Sequence, residues 1–301
     1  MSIVRLGHIA FTVADLDRSI RFAEEIVGMR VVDRIDDTAY LSSNSRHHQL
    51  RLTSGEEHGC EEIAFDADDF DGWQRLLDKA SAAGLEVIGA NDDPFAEHKA
   101  RIYIPDGPSV AVCCGAAAIS PARYSTLGVR PLKLGHVTVA SPDVEGVGRI
   151  LTEVLGLRLS DRLPLGEHAD GELRWYRCNA DHHAIGLCPG EAGVHHYAFG
   201  IDSFAAFGVV GDHLLANAIT YIWGPGRHGP GDNLFAYFKD ADGSMIEFYA
   251  DMEQIEDETS YKLREWPDVA SSANVWGPAP PQEWFEVSTP FVPARTTSAA
   301  H

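Results

Sequence analysis

The sequence lacks the features that mark membrane-spanning, secreted and disulfide-stabilised proteins. None of its apolar runs approaches the length needed to cross a bilayer. Residues 1–5 lead directly into a strand-like segment, without the basic region and cleavage site of a secretion signal. The five cysteines form no Cys-x-x-Cys pair and no disulfide-rich spacing, so we expect reduced, buried thiols in a cytoplasmic protein.

Basic residues are scarce as well. The 24 Lys and Arg face 45 Asp and Glu, which gives a formal net charge of −21. Such a chain has no basic surface to displace the counterions of phosphates, so nucleic acid is excluded as a partner. The Gly-Pro-Gly run at 224–226 lacks the Lys-Ser/Thr that completes a phosphate-binding loop.

The chain does contain an internal repeat. Residues 5–13 alternate as a strand does, residues 17–26 predict a helix ended by Gly28, and three further strand-like runs follow. The same order begins again near residue 62, with a helix over 69–83. The second half repeats the first, since Leu-Gly-His at 6–8 returns at 134–136. The repeat predicts an α+β fold of four β-α-β-β-β modules that form two tandem open-barrel domains.

Composition predicts three parts. We expect a two-module scaffold domain over residues 1–120 and a two-module catalytic metal domain over 131–252, joined by the irregular stretch 121–131. Residues 253–301 are a tail in which Trp266, Trp276 and Trp284 alternate with prolines. Aromatic residues at this density predict packing across the barrel mouth or against a second subunit, with residues 296–301 loose.

Three residues of the second half form a candidate metal site. His136, His196 and Glu247 lie at inward positions of strand-like runs. A single strand histidine is more often a hydrogen-bonded core residue, but a carboxylate facing a barrel interior is costly unless it is paired or metal-bound. Two imidazoles and one carboxylate on one face leave three coordination positions open, which suits Fe(II) oxygen chemistry. The ligand types also suit Mn(II) and zinc.

The first half keeps only one of these ligand types. His8 stands where His136 stands in the second half, but Glu62 and Ala111 take the places equivalent to 196 and 247. This difference predicts that the first domain is a scaffold and that the second carries the chemistry.

The segment around Glu247 resembles a known enzyme signature. It reads Gly-Arg-His at 226–228, Ala-Tyr at 236–237, Asp-Ala-Asp-Gly at 240–243 and Ser-Met-Ile-Glu at 244–247. With the four-module plan, it resembles the type I extradiol (meta-cleaving) catechol dioxygenases of the vicinal oxygen chelate superfamily, which have a glyoxalase-like fold. The chain departs from the signature at Ala236 and Ala241, neither of which is a ligand. The resemblance covers about residues 1–255.

The resemblance implies Fe(II), with Mn(II) as the alternative, bound by His136, His196 and Glu247. His195 is one residue out of register with the inner face, so we expect it at the outer face or an edge.

Three further residues gain roles from the resemblance. His183, predicted on the last strand of the third module, becomes the acid/base group, and a structural histidine is the ordinary alternative. His228 and Tyr237 become the groups that orient the substrate oxygens, although Tyr237 also fits a half-buried strand aromatic. Arg227 can meet a substrate carboxylate or be solvated.

The implied reaction inserts both atoms of O2 into a catechol-type diol next to its hydroxyls, in aromatic catabolism. The implied partners are that substrate and O2, with a homo-oligomeric state and neither nucleic acid nor membrane. Two other functions stay open. One is another metalloenzyme of the superfamily, a glyoxalase-type isomerase or a thiol transferase, which usually assembles its site from more ligands. The other is a non-catalytic small-molecule-binding module, which needs no metal ligands.

Overall fold

Four repeats of one order of strands and helix build the molecule, and the predicted β-α-β-β-β modules are confirmed. The structure is a computed structural model that describes residues 2–90, 92–120, 129–166 and 170–294. The first module contains β1 (Ile3–Val13), α1 (Leu16–Phe22), β2 (Arg30–Ile35), β3 (Thr38–Ser42) and β4 (Leu50–Ser54). The second contains β5 (Gly59–Ala67), α2 (Phe70–Ala82), β6 (Glu86–Gly89), β7 (Ala96–Tyr103) and β8 (Ser109–Ala116).

The second half follows the same order. The third module contains β9 (Lys133–Ser141), α3 (Val144–Arg149), β10 (Arg158–Pro164), β11 (Glu172–Arg177) and β12 (Ile185–Pro189). The fourth contains β13 (Gly193–Gly200), α4 (Phe204–Ala216), β14 (Trp223–Arg227), β15 (Leu234–Lys239) and β16 (Met245–Ala250). The tail adds β17 (Arg264–Glu265), α5 (Val269–Ser272), α6 (Gln282–Glu286) and β18 (Thr289–Pro290).

Equivalent helices begin and end in the same way. Asp15 caps α1 by accepting from a backbone N–H of the first turn, and Asp143 does the same for α3. Each helix continues into a π-helical turn, over Ala23–Val27 and Ile150–Val154. Gly28 and Gly156 then end these turns with φ of 85° and 77°, a left-handed conformation that favours glycine. The sequence match between the two glycines therefore marks a matched helix stop.

Each half forms one curled sheet from two modules. The first sheet has eight strands in the order β2-β3-β4-β1-β5-β8-β7-β6. The second has ten, in the order β14-β15-β16-β13-β9-β12-β11-β10-β17, with β18 added beside β13. The α+β, two-barrel architecture is thus as predicted. The limits 1–120 and 131–252 stay predictions, and residues 121–128 of the expected linker lie outside the described residues.

The main hydrophobic core lies between the sheets and their helices. It is continuous across both halves, and the rings of Phe11 and Tyr197 meet there with centroids 5.1 Å apart. A smaller apolar cluster lies on the inner side of the second sheet and includes Leu163, Phe235 and Trp284. The second half therefore has an apolar interior, and this interior positions the site described below.

The tail packs on the second sheet of its own chain. β17 runs parallel to β10, and β18 pairs antiparallel with β13. Trp284 of α6 is buried between these two attachments. The tail thus packs on its own chain, whereas residues 296–301, expected to be loose, lie outside the described residues. Within the described part of the chain, every helix is too short or too polar to span a membrane.

Candidate metal centre

Three neighbouring strands bring together the residues that the sequence predicts as metal ligands. His136 lies in β9, His196 in β13 and Glu247 in β16, and β13 lies between the other two strands. The register equates Glu247, which faces Ala198, with Ala111 of the first sheet. The repeat correspondence drawn from the sequence is therefore reproduced in the strand pairing.

The three side chains converge on one point. His136 Nε2 lies 2.9 Å from Glu247 Oε2, and His196 Nε2 lies 3.2 Å from the same oxygen. One ligand atom of each residue lies within 4.8 Å of the other two, and all three residues are buried. The other carboxylate oxygen, Oε1, accepts a hydrogen bond from Asn233 Nδ2 at 3.2 Å. This amide holds the carboxylate plane and leaves Oε2 directed at the imidazoles.

The electrostatics favour an anionic Glu247 carboxylate and a neutral His196 imidazole. Burial raises the pKa of Glu247, but the facing His136 and His196 outweigh burial and hold that pKa well below its usual range. Burial also lowers the pKa of His196, against the opposing effect of Glu247. These protonation states are the ones that bind a divalent cation.

His195 fixes which nitrogen of His196 is free. A β-bulge in β13 between Val194 and His196 takes His195 out of the regular alternation. Its Nε2–H donates to the backbone oxygen of Trp284 at 2.7 Å, so its Nδ1 can accept from His196 Nδ1, also at 2.7 Å. Burial lowers the pKa of His195 to about 3, so the ring is neutral. His196 therefore presents the lone pair of Nε2 to the cavity.

The expectation that His195 lies at an outer face or edge is wrong. It is buried, because the bulge turns it and the tail covers it.

His183 lies beside the candidate ligands. Its ring centroid is 4.3 Å from that of His136 and 6.4 Å from that of Trp175. The prediction that it lies on the last strand of the third module is wrong, since it lies in the loop before β12. In that loop the backbone N–H of His182 donates to Glu253 of the tail.

A second histidine backs His183. The Nδ1 atoms of His182 and His183 are 3.0 Å apart, and His182 Nε2 lies 3.2 Å from Asp161 Oδ2. Burial lowers the pKa of His183 well below its usual value, and the neighbouring histidines add to this effect. With Nδ1 engaged by His182, Nε2 is the atom of a neutral His183 that is left for the cavity.

His228 and Tyr237 form a hydrogen-bonded pair on the other side. His228 Nδ1–H donates to the backbone oxygen of Ala273 at 2.5 Å, so its Nε2 accepts from the Tyr237 hydroxyl at 3.0 Å. His228 Nε2 is also 4.0 Å from Glu247 Oε1. Burial lowers the pKa of His228 to about 4 and raises that of Tyr237 well above its usual value. Both groups are therefore neutral.

These groups line one cavity, together with apolar side chains of the strands and the tail. The structure thus brings together His136, His196, Glu247, His183, His228 and Tyr237. Sequence reasoning missed Asn233 and the role of His195. The adjacent histidines at 47–48, 182–183 and 195–196 are a sequence signal for such a supporting role. In each pair the Nδ1 atoms of the two rings lie within hydrogen-bond distance of each other.

The first sheet has a buried ionic cluster at the equivalent place. Glu62 accepts from Lys99 Nζ and from Arg101 Nε, each at 2.6 Å. His8 Nε2 and Arg51 Nη1 lie 3.0 and 3.1 Å from the same carboxylate. Lysine and arginine side chains therefore surround Glu62, which occupies the position equivalent to His196.

A second set of possible ligands exists in the first half. His8, His48 and Asp93 each offer one atom within 4.8 Å of the others. The sequence analysis missed this set because Asp93 lies in the loop between β6 and β7. The buried cations Lys99 and Arg51 act against a further cation there, so the scaffold role of the first half stays our prediction.

A family profile and several curated relatives match the chain. The profile of the Glyoxalase/Bleomycin resistance protein/Dioxygenase superfamily matches residues 5–111 and 133–248. The manganese-dependent 2,3-dihydroxybiphenyl 1,2-dioxygenase of Geobacillus genomosp. 3 is 26% identical over 271 residues, covering 82% of this chain and 85% of the relative. The iron-dependent extradiol dioxygenase of Rhodococcus jostii is 27% identical over 296 residues, covering 92% and 97%.

Solved structures share the fold. The Mn(II)-bound glyoxalase from Novosphingobium aromaticivorans superposes with a TM-score of 0.87 at 25% identity and covers 99% of both chains. Homoprotocatechuate 2,3-dioxygenase from Brevibacterium fuscum, in complex with 3,4-dihydroxyphenylacetate, superposes with a TM-score of 0.85 at 23% identity, covering 97% of this chain and 94% of that one. The two-barrel arrangement is therefore an established fold.

Proposed function

The chain belongs to the Glyoxalase/Bleomycin resistance protein/Dioxygenase superfamily, and from that premise we propose that it is an Fe(II)-dependent extradiol dioxygenase acting on a catechol-type diol. The convergence of His136, His196 and Glu247 at the end of a cavity carries the proposal. Curated relatives named as extradiol dioxygenases support the reaction class.

The residues at the centre fit a divalent metal. Two imidazoles present Nε2 toward one carboxylate oxygen, and a 2-His-1-carboxylate face is the donor set of non-haem Fe(II) oxygenases. In both rings Nε2 is the atom that approaches the shared oxygen, and His196 Nδ1 is engaged by His195. Relatives named for iron and for manganese support Fe(II) with Mn(II) as the alternative.

The proposed mechanism divides the work between the metal and the cavity. When bound, Fe(II) supplies Lewis acidity toward the diol and electron transfer to O2. His228 Nε2 holds the Tyr237 hydroxyl, whose oxygen can accept a hydrogen bond from a diol hydroxyl and so hold the ring in one orientation. The apolar walls keep bulk water out of the cavity.

His183 accepts and returns a proton of the diol. Because burial keeps its imidazole neutral, Nε2 can accept a proton from a diol hydroxyl. The same nitrogen can return that proton when the ring opens. Both atoms of O2 enter the product, which is a ring-opened semialdehyde or keto acid, so no external reductant is needed.

A glyoxalase-type isomerase is the second candidate. The similarity to the glyoxalase from Novosphingobium aromaticivorans, which covers 99% of this chain, favours it. An isomerase has no use for O2 and no need for the paired His228 and Tyr237. The two reactions therefore differ in a measurable co-substrate.

To test the proposal, the protein is loaded with Fe(II) under anaerobic conditions, and its oxygen uptake is then measured in aerobic buffer. With catechol, we expect one O2 consumed per diol, a yellow semialdehyde, and both atoms of labelled O2 in the product. A colourless dicarboxylic acid would indicate cleavage between the hydroxyl-bearing carbons. Isomerisation of a methylglyoxal–thiol adduct without oxygen uptake would establish the second candidate. Glu247→Gln serves as the metal-deficient control.

We also propose a domain organisation, a cellular compartment and an oligomeric state. Residues 1–120 form a scaffold domain, residues 131–252 the catalytic domain, and the tail from 253 onward completes the cavity wall. The five free, buried cysteines support a reducing compartment such as the cytoplasm. Association into a homo-oligomer stays a prediction, which light scattering of the purified protein can test.

A further inference from the structure

The cavity beyond the candidate metal centre has apolar walls. On one side the walls come from β10 and β11, and on the other from β14 and the tail. The side chains that form them are Leu163, Leu173, Trp175, Trp223, Ala273 and Trp284. A substrate ring held at the centre must direct its substituents against these walls.

Cationic side chains are missing from this lining. Among the described residues, the cavity is lined by neither Lys nor Arg. Arg227, the one arginine that the sequence suggests for a substrate carboxylate, is engaged elsewhere. Its guanidinium lies 3.3 Å from Asp232, 3.4 Å from Asp251 and 5.0 Å from the ring centroid of Trp276. It is therefore held at the surface by two carboxylates and is not a partner for a bound anion.

A charged substituent is disfavoured at these apolar walls. A carboxylate that leaves water for an apolar wall without a counter-ion loses its solvation without replacement. An alkyl or aryl substituent gains from burial against the same surface.

Trp284 is the wall residue that belongs to the tail. Its ring centroid lies 5.5 Å from that of Trp223, 6.0 Å from that of Tyr237 and 6.5 Å from that of His196. The pairing of β18 with β13 and the hydrogen bond from His195 to its backbone oxygen hold it there. The tail lies beyond the profile match, which ends at residue 248. This part of the wall thus lies outside the region that the profile matches.

We propose that the cavity selects an uncharged catechol with an apolar alkyl or aryl substituent, and that Trp284 is a main determinant of this preference. The proposal rests on the proposed function for the diol and adds the class of substituent. It predicts a rank order of ligands, which can be measured by binding as well as by turnover.

The experiment compares catechol, 3-methylcatechol, 2,3-dihydroxybiphenyl and 3,4-dihydroxyphenylacetate with the Fe(II)-loaded full chain. Of 3-methylcatechol and 2,3-dihydroxybiphenyl, we call the one with the higher kcat/KM the better apolar catechol. We expect its kcat/KM to exceed that of catechol at least about tenfold. We expect the carboxylated catechol to fall at least about a hundredfold below the better apolar one. Anaerobic titration of the same four compounds gives dissociation constants without any turnover. Equal or tighter binding of the carboxylated compound would overturn the proposal.

The binding arm separates this proposal from the proposed function. If the apolar catechols bind in the expected order but none is cleaved, the proposed reaction fails and the selection stands. If catechols are cleaved without the expected order, the selection fails and the reaction stands. If no catechol binds, both fail.

Variants can identify the residues that cause the preference for apolar substituents. Trp284→Ala should reduce the apolar preference at least about fivefold. Trp276→Ala, a change in the same tail at a ring that is 56% exposed and outside the cavity, should leave the preference unchanged. Leu173→Arg provides a second route, because a cation in the wall should improve binding of the carboxylated catechol at least about tenfold. Unchanged preferences in both Trp284→Ala and Leu173→Arg would refute the role of the walls.

Discussion

His195 and Trp284 are joined by a hydrogen bond of 2.7 Å between the imidazole Nε2–H and the backbone oxygen. The two residues are 89 positions apart in the chain. Through His195 Nδ1, the bond reaches His196 Nδ1 and so sets the tautomer of a candidate ligand. The tail therefore acts on the metal centre through one bulged histidine.

Replacing His195 should weaken metal binding without removing a ligand. His195→Phe removes the acceptor for His196 Nδ1–H, and loss of such an outer partner typically lowers metal affinity by about 10–100-fold. Competition with a chelator measures the dissociation constant. His195→Gln, which keeps an acceptor, should lose less. Wild-type affinity in His195→Phe would show that His196 does not need this partner.

Metal content should depend on the second half alone. Glu247→Ala removes the carboxylate that faces both imidazoles and should abolish metal binding. His8→Ala changes the equivalent strand position of the first half and should leave about one metal per chain. Elemental analysis of protein that remains folded by circular dichroism measures both. Equal losses from the two variants would refute the division into scaffold and catalytic halves.

Removing the central carboxylate of the ionic cluster in the first half should strongly destabilise the fold. Glu62→Gln leaves Lys99 and Arg101 buried with less counter-charge, and breaking a buried pair in this way costs about 3–5 kcal/mol. Denaturant unfolding measures the change in free energy. Arg34→Gln is the matched control, because its pair with Asp17 is exposed and should contribute at most about 1 kcal/mol. Equal effects of both variants would contradict the role of burial.

Acid should weaken the attachment of the tail through Asp161. Burial raises its pKa, but His182, Trp266 and Arg264 outweigh burial and lower the pKa to about 2 from 3.8. Because the folded-state pKa is the lower one, this stability is present above about pH 4 and is lost as the pH falls toward 2. Between pH 6 and pH 3, the loss from this group should be about 1 kcal/mol.

Asp161→Asn should flatten the pH dependence by that amount, as measured by the difference in unfolding free energy between the two pH values. Asp202→Asn, a change at an exposed carboxylate, is the control and should leave the wild-type slope. A wild-type slope in Asp161→Asn would assign the acid sensitivity to other groups.

Sequence alone predicted what depends on local pattern. The four modules follow from alternation and helix stops that recur at a fixed spacing. The positions of His136, His196 and Glu247 follow from the same repeat. These features need no knowledge of distant contacts, so one sequence suffices to locate them.

The remaining features depend on contacts between distant segments. The bulge at His195 breaks the alternation on which the inward and outward assignments rest. The loop that carries His183 is bonded to the tail through the backbone N–H of His182 and the oxygen of Glu253. Trp284 reaches the cavity from a segment without periodicity. No local pattern encodes any of these three contacts.

His183 should act on the proton and not on binding. His183→Phe keeps an aromatic ring beside His136 but removes the nitrogen that can accept or donate a proton. Metal content and anaerobic binding of the catechol should therefore stay near wild type. The kcat of oxygen-dependent turnover should fall about 100-fold or more, the usual contribution of a positioned acid/base group. Steady-state oxygen uptake separates this loss in kcat from any change in KM.

The first half offers a matched control for this substitution. His48 pairs with His47 through Nδ1 atoms 3.2 Å apart, as His183 pairs with His182 at 3.0 Å. His48→Phe makes the same chemical change in the same repeat position, so any purely structural cost should be similar. Its turnover should remain near wild type, because it lies outside the cavity of the second sheet. Normal turnover in His183→Phe would instead make His183 a structural residue and would direct attention to His228 Nε2 as the proton carrier.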